Sequence, residues 1–350
     1  MNKWYIVLEN TSICHNDSIC SESHGIGSKR ETPVREGVRH LKALVFGGNG
    51  FLGSSLLEEF LRRGYETTVF DLKNRRNNLL KERGIRIIEG DLLNLDKAKI
   101  PFEGMDWVVN LASITTPAES IKNPDRDGLN YPVCERIFKE ALSAGVKKIF
   151  YPSSGGTIYG SPEKIPVDEN YPPNPTIPYA VTKLKIERRL AQMCEGSGTI
   201  PLIFRYGNPY GPNQYPGGGT GVITAWLEAI RDGKRIDLFG SEENARDFFF
   251  VKDATDACLT ALNSQKARGV YNIGSGKPTT LRTIIETMKQ VTGRKVDVNV
   301  LPPRPNDKVS RIALDIRKAE RDFGWKPKVG LAEGIEKTWR WVLDGEPFTI

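Results

Sequence analysis

Histidine is almost absent from this chain: His15, His24 and His40 all precede the first recognisable strand, and nothing after them is histidine. That absence excludes Ser-His-Asp catalysis, Cys-His catalysis and histidine-built metal sites from the body of the protein, leaving acid-base work to tyrosine, lysine or carboxylates. Cysteine is sparse as well. Cys14, Cys20, Cys134, Cys194 and Cys258 are scattered over 350 residues without a disulfide framework, as expected of reduced thiols in a cytoplasm. The cluster Cys14, His15, Cys20, His24 matches no standard zinc-finger spacing, so no metal is expected. Long apolar runs are missing. Trp4 to Leu8 is too short for a signal-peptide core, and no other stretch approaches membrane-spanning length. Blocks of like charge are missing too: 50 Lys plus Arg against 43 Asp plus Glu is mildly basic, with no run that marks a nucleic-acid or membrane surface. An anionic small substrate suits that balance equally well.

The chain is long enough for one large or two closely joined domains. Residues 1–40 are rich in Ser, Asn, Gly and charge without periodicity and are expected to form a flexible extension. From Lys42, short apolar runs alternate with amphipathic helical segments, the signature of βαβ units around a parallel sheet. The pattern predicts an α/β fold: a Rossmann-type doubly wound parallel sheet in residues 41–205, with a smaller C-terminal α/β substrate-binding lobe in 206–350, parts of which return to the first sheet. Predicted strands lie at Ala43 to Phe46, Thr67 to Asp71, Ile85 to Glu89, Trp107 to Leu111, Lys148 to Pro152 and Leu202 to Arg205, and a final helix at Leu331 to Leu343.

Directly after the first strand comes Gly47-Gly48-Asn49-Gly50-Phe51-Leu52-Gly53, followed by a helical pattern from Ser54 to Arg63. Glycines at Gly47, Gly50 and Gly53 permit a tight turn, close approach of a pyrophosphate and packing of helix on sheet, while the helix N-terminus offers free N–H groups to the anion. Asp71 ends the second strand eighteen residues past Gly53, where a carboxylate binds adenosine ribose hydroxyls and repels a 2′-phosphate, so the expected cofactor is NAD. Lys73, Arg75 and Arg76 close by keep NADP open as an alternative, or else belong to a solvated loop. Asp91 and Leu92 after the third strand, and Leu111 and Ala112 after the fourth, fall at the carboxyl edge where such sheets bind ligands.

Tyr179-Ala180-Val181-Thr182-Lys183 opens a helix after a proline-rich stretch, so a phenol and an ammonium share one face. A free phenol, with a pKa near ~10, is a poor base at neutral pH, but an adjacent Lys⁺ and a nicotinamide cation both favour the phenolate. Tyr179 is therefore the candidate base for a sugar hydroxyl.

From about Lys42 to Asp344 the chain resembles the extended short-chain dehydrogenase/reductase family, especially its nucleotide-sugar epimerase/dehydratase branch. The matching pieces are Gly47 to Gly53, Asp91-Leu92, Asn130, Ser153 to Gly160, Tyr179 to Lys183, Arg205 to Pro212, Arg246-Asp247-Phe248 and Tyr271 to Gly274. The resemblance implies that Tyr179 is the base, that Lys183 holds the nicotinamide ribose, that Asn130, Ser153 and Tyr206 belong to the cofactor site, and that Asn208, Arg246, Arg304 and Asp307 contact the nucleotide diphosphate and its ribose. Surface salt bridges are an equal alternative for Arg304 and Asp307. The family usually places a hydroxyl four residues before Tyr159, where this chain has Gly155; Ser154, Thr157 or a water then takes that role. The helices near Tyr131 to Ala144 and Val181 to Met193 resemble those that pair in family homodimers, although their apolar positions suit an internal core as well.

The expected reaction is 4-epimerisation of a UDP-hexose or UDP-N-acetylhexosamine through a transient 4-keto sugar. A 4,6-dehydratase of the family carries an Asp-Glu pair where Gly156 and Thr157 stand, and a 3,5-epimerase needs Cys and His. UDP-glucuronate decarboxylation, another reductase or dehydratase outcome, and a non-catalytic NAD-binding regulatory protein stay open, although the last is expected to lose Tyr179 or Lys183. Uronates also stay open as substrates.

Overall fold

The computed structural model describes residues 41–74, 76–214, 221–303 and 311–344. Arg75, Arg304, Asp307, Ser310 and the predicted 1–40 extension, with its histidines, Cys14 and Cys20, lie outside them.

Six strands form where the apolar runs predict them, each within two residues of the expected bounds: β1 (Lys42–Phe46), β2 (Glu66–Asp71), β3 (Arg86–Glu89), β4 (Trp107–Asn110), β5 (Lys148–Ser154) and β6 (Ile200–Tyr206). A seventh strand, Gly269–Ile273, completes the sheet at the edge beyond β6, in the order seventh, β6, β5, β4, β1, β2, β3. Every pairing in it is parallel. Central strands of such a sheet are covered on both faces, and β4 is buried along its whole length. Ala43 and Val45 face one layer of helices while Leu44 and Phe46 face the other, because successive strand side chains alternate.

The first layer contains the helix Phe51–Arg62, which buries Leu56, Leu57 and Phe60 along one stripe, and the helix Val251–Asn263 beside it. The opposite layer contains Asn130–Ser143, through Ile137 and Phe138, and Pro178–Cys194, through Ile186 and Leu190. Thus a helix and a strand from beyond residue 206 serve the first sheet. The rest of that region builds a second core from the helices Val222–Arg231, Leu281–Thr292 and Leu331–Asp344, where Trp226, Leu227, Ile284, Met288, Ile335 and Trp339 interlock. Three two-stranded sheets edge it, including Ile236–Phe239 with Val298–Leu301.

Chain order reverses at β1, which pairs with β2 on one side and β4 on the other. In doubly wound sheets the crevice outside the carboxyl ends at that reversal is where ligands bind.

Candidate active site

A cleft of about 1140 Å³ opens there, walled by the carboxyl edge of the sheet on one side and the second core on the other. Its floor begins with the glycine turn. Gly47 has φ of 79°, and a Cβ on it would lie 2.8 Å from the Ala112 nitrogen. On Gly53 a Cβ would lie 2.3 Å from the Gly47 carbonyl oxygen, so backbone folds on backbone with no room for a side chain. The helix that follows has no side-chain cap and no acidic residue in its first turn. Its uncapped N–H groups and positive dipole end are thus presented to the cleft, where Gly50, Phe51, Leu52 and Gly53 line the wall.

Asp71 lines the same wall. Its carboxylate accepts the Asn49 N–H and the Leu72 N–H, both at 2.8 Å. Burial raises its pKa, and these hydrogen bonds oppose the rise. Arg76 corrects the reading of a merely solvated loop: its guanidinium donates to the Asn49 carbonyl at 2.9 Å, while the Asn49 amide donates to the fully buried Asn77 at 2.7 Å. Lys73 is exposed. Leu92, Leu111 and Ala112 line the cleft as expected. Asp91 instead caps the turn behind it, accepting the Leu93 N–H at 2.9 Å. Asn130 lies beneath the loop after β4, accepting the Ile114 N–H at 2.8 Å and donating to Thr115 at 3.1 Å. The Tyr206 side chain is directed into the core, where its hydroxyl donates to the Ala254 carbonyl at 3.1 Å.

Pro178 starts the helix that carries the tyrosine and lysine, and the Tyr179 N–H is held by the Ser120 hydroxyl at 3.2 Å. Tyr179 lines the cleft, and the buried Lys183 ammonium sits 5.5 Å from its ring centroid, donating to the Pro152 carbonyl at 2.9 Å. In the chain by itself other groups outweigh the Lys183 charge. Burial first, and then the Asp127 carboxylate, push the Tyr179 phenol up to about 12, and burial pulls Lys183 down to about 8. The unassisted pair is a neutral phenol beside a weakened ammonium; a bound cation is still needed to favour the phenolate.

Ser154 and Thr157 both line the cleft, joined by a 2.9 Å hydrogen bond in which Thr157 donates to Ser154. Ser154 therefore keeps its own proton to donate elsewhere. Ser153 is buried, its hydroxyl without a partner. The glycine between them has a physical cause: a Cβ on Gly155 would lie 2.7 Å from the Leu314 Cδ1 and 3.1 Å from the Arg205 carbonyl oxygen.

On the far wall, Asn208 and Arg246 face the cleft as predicted, and the buried Asn208 Oδ1 has no hydrogen-bond partner. Next to Arg246, the buried Asp247 accepts the Ser275, Gly276 and Leu314 N–H groups at 2.5, 3.2 and 3.0 Å, fixing the strand that presents the arginine. Gln214 and Trp226, which sequence reasoning missed, also line this wall. They stand in an irregular stretch and on a core helix, and neither position carries a motif.

A glycine turn that excludes side chains, a carboxylate at the end of β2 and a tyrosine backed by a buried lysine, gathered around one crevice, fit a dinucleotide-dependent enzyme of the short-chain dehydrogenase/reductase type. Residues 43–274 match the NAD dependent epimerase/dehydratase family, and the chain belongs to it. A putative UDP-glucose 4-epimerase of Methanocaldococcus jannaschii is 33% identical over 303 residues, covering 85% of this chain and 97% of that one. A dTDP-4-dehydro-6-deoxyglucose reductase of Escherichia coli is 32% identical over 304 residues, covering 84% and 95%. The structure of Thermus thermophilus UDP-glucose 4-epimerase in complex with NAD superposes with a TM-score of 0.78 at 32% identity, over 87% of this chain and 99% of that one. The cofactor is NAD.

Proposed function

We propose that the protein interconverts the C4 epimers of a UDP-hexose or UDP-N-acetylhexosamine. The observation that carries this proposal is that the Tyr179 phenol and the Ser154–Thr157 hydroxyl pair line one cleft together with the glycine turn and Asn208. NAD held by the Gly47 to Gly53 turn and Asp71 would supply reversible hydride transfer at C4 of the sugar. Tyr179 removes the O4 proton when the 4-keto sugar forms and restores it when the sugar is reduced again, while Ser154, steadied by Thr157, donates a hydrogen bond to O4 and keeps its proton. Lys183 holds the nicotinamide ribose, and its charge beside Tyr179 favours the phenolate once the cofactor cation adds to it. Arg246 and Asn208, with Arg304 and Asp307, hold the diphosphate and ribose, the planar guanidinium pairing two oxygens. Residues 41–205 serve mainly the cofactor and 206–350 mainly the substrate. The unit at work is a cytoplasmic homodimer formed through the outer face of the helices Asn130–Ser143 and Pro178–Cys194, where Tyr131, Lys185, Arg188 and Gln192 line an open depression; sedimentation at micromolar concentration checks the assembly.

A second outcome, net reduction of a 4-keto sugar, is favoured by the Escherichia coli relative. Incubating the purified protein with a panel of UDP-sugars and no added cofactor, then separating products, decides between them. Conversion of one sugar to its 4-epimer, with Tyr179→Phe slower by roughly 10²–10⁴-fold, supports epimerisation. Turnover only with added NADH and a 4-keto sugar supports the reductase and overturns it.

A further inference from the structure

Asp127 is a buried carboxylate that takes no part in the reaction proposed above. It sits in the short helix Pro124–Gly128, is 1% exposed, and has no ion pair among the described residues. Its carboxylate accepts two hydroxyls: Thr115 at 2.5 Å and Thr182 at 2.6 Å. Thr115 belongs to the loop after β4 and lines the cleft, whereas Thr182 lies between Tyr179 and Lys183 on their helix. Both partners are neutral hydroxyls, so no cation offsets this carboxyl group. Leaving such a charge buried without a cation is costly, and apolar or amide residues fill that space at lower cost.

We propose that Asp127 is a positioning residue whose buried negative charge bolts the Tyr179–Lys183 helix to the cleft loop and sets the proton affinity of that pair. Its field acts in the same sense on both groups, disfavouring the phenolate of Tyr179 and favouring the ammonium of Lys183. The other groups facing the pair are Tyr151 on β5, whose ring centroid is 4.6 Å from the Lys183 ammonium, Cys134 on the helix Asn130–Ser143, and Glu187 on the pair's own helix. Glu187 is already matched by Arg205 at 2.7 Å, and Tyr151 and Cys134 are held neutral by burial. Asp127 is thus the unmatched charge of the surroundings. It adds to burial in holding the proton on the Tyr179 phenol, so its charge contributes to the pH at which that phenol gives up its proton. This role rests on Tyr179 as the base.

The test reads Tyr179 directly, so that it stands apart from turnover and from the identity of the sugar. Tyrosine labelled with ¹³C at Cζ is titrated in NAD-saturated protein, with Tyr179→Phe identifying the resonance. Asp127→Asn is expected to lower the Tyr179 midpoint by roughly 1 pH unit, and Asp127→Glu, which keeps the charge, to restore it. Asp127→Ser, which leaves room for a bridging water, carries the same measurement if the amide variant does not fold. A folded Asn or Ser variant with an unmoved midpoint overturns the proposal. So does failure of both to fold while Asp127→Glu folds, since Asp127 would then only hold the fold together. A titrating Tyr179 in a protein that converts no UDP-sugar would overturn the epimerase proposal and leave this one intact.

Discussion

At the scale of single residues, Lys183 and Ser154 each have a measurable signature. The Lys183 ammonium is pulled by burial from 10.5 to about 8. Between those values the unfolded chain binds a proton that the folded chain does not, so stability conferred at this position rises as pH climbs from 8 to 10.5, and below 8 the buried charge is a net cost. Lys183→Met should remove that slope, read as the difference in urea midpoint between variant and parent across the same pH window in cofactor-free protein. Ser154→Ala should lower kcat more than Thr157→Ala, because Ser154 holds the free proton and Thr157 only donates to it; steady-state rates on the converted UDP-sugar check the order. What could be read from the residues was the part that carries a motif: Gly47 to Gly53, Asp71, Tyr179 and Lys183. Asp127, Asn77 and Arg76 escaped because their work depends on partners distant in the chain, such as Thr182 for Asp127 and Asn49 for the other two.

At the scale of elements, the helix Phe51–Arg62 ties cofactor recognition to the core, since the end that faces the cleft and the stripe that faces the sheet belong to one rigid rod. Phe60 is fully buried and its ring stands 5.4 Å from that of Tyr65. Phe60→Ala should cost about 3–5 kcal/mol, read from the denaturant midpoint with the slope unchanged. The central strands were legible because strands buried on both faces read as apolar runs, as in Trp107–Asn110 and Lys42–Phe46. The seventh, Gly269–Ile273, was quoted as a motif but not as a strand, since it begins with glycine and contains Tyr271 and Asn272. The two- and three-residue strands near Asn208 and Arg246 are too short to show any period, so their pairing emerges only from the fold.

At the scale of the whole molecule, the two cores meet across the cleft, and a ligand that touches both walls stabilises the folded state by mass action. NAD at one hundred times its dissociation constant should add about 2.7 kcal/mol, and stripping it should lower the melting temperature correspondingly. Gly53→Ala should abolish that gain in the same calorimetric comparison, because the added methyl meets the Gly47 carbonyl rather than a movable side chain. The doubly wound parallel class and the carboxyl edge as the ligand side followed from βαβ rules, whereas the sheet order and the second core's shape did not, the latter being built from helices and strand fragments with no repeating rule. The contact between Gly155 and Leu314 also links distant parts of the chain, for the 314 side chain comes from a segment near the C-terminus. The two positions are therefore bound in inheritance. A side chain at 155 meets the Leu314 methyls and the Arg205 carbonyl together, so Leu314→Ala should relieve only the first contact and recover part of the stability that Gly155→Ser costs, read from the denaturant midpoints of the single and double variants.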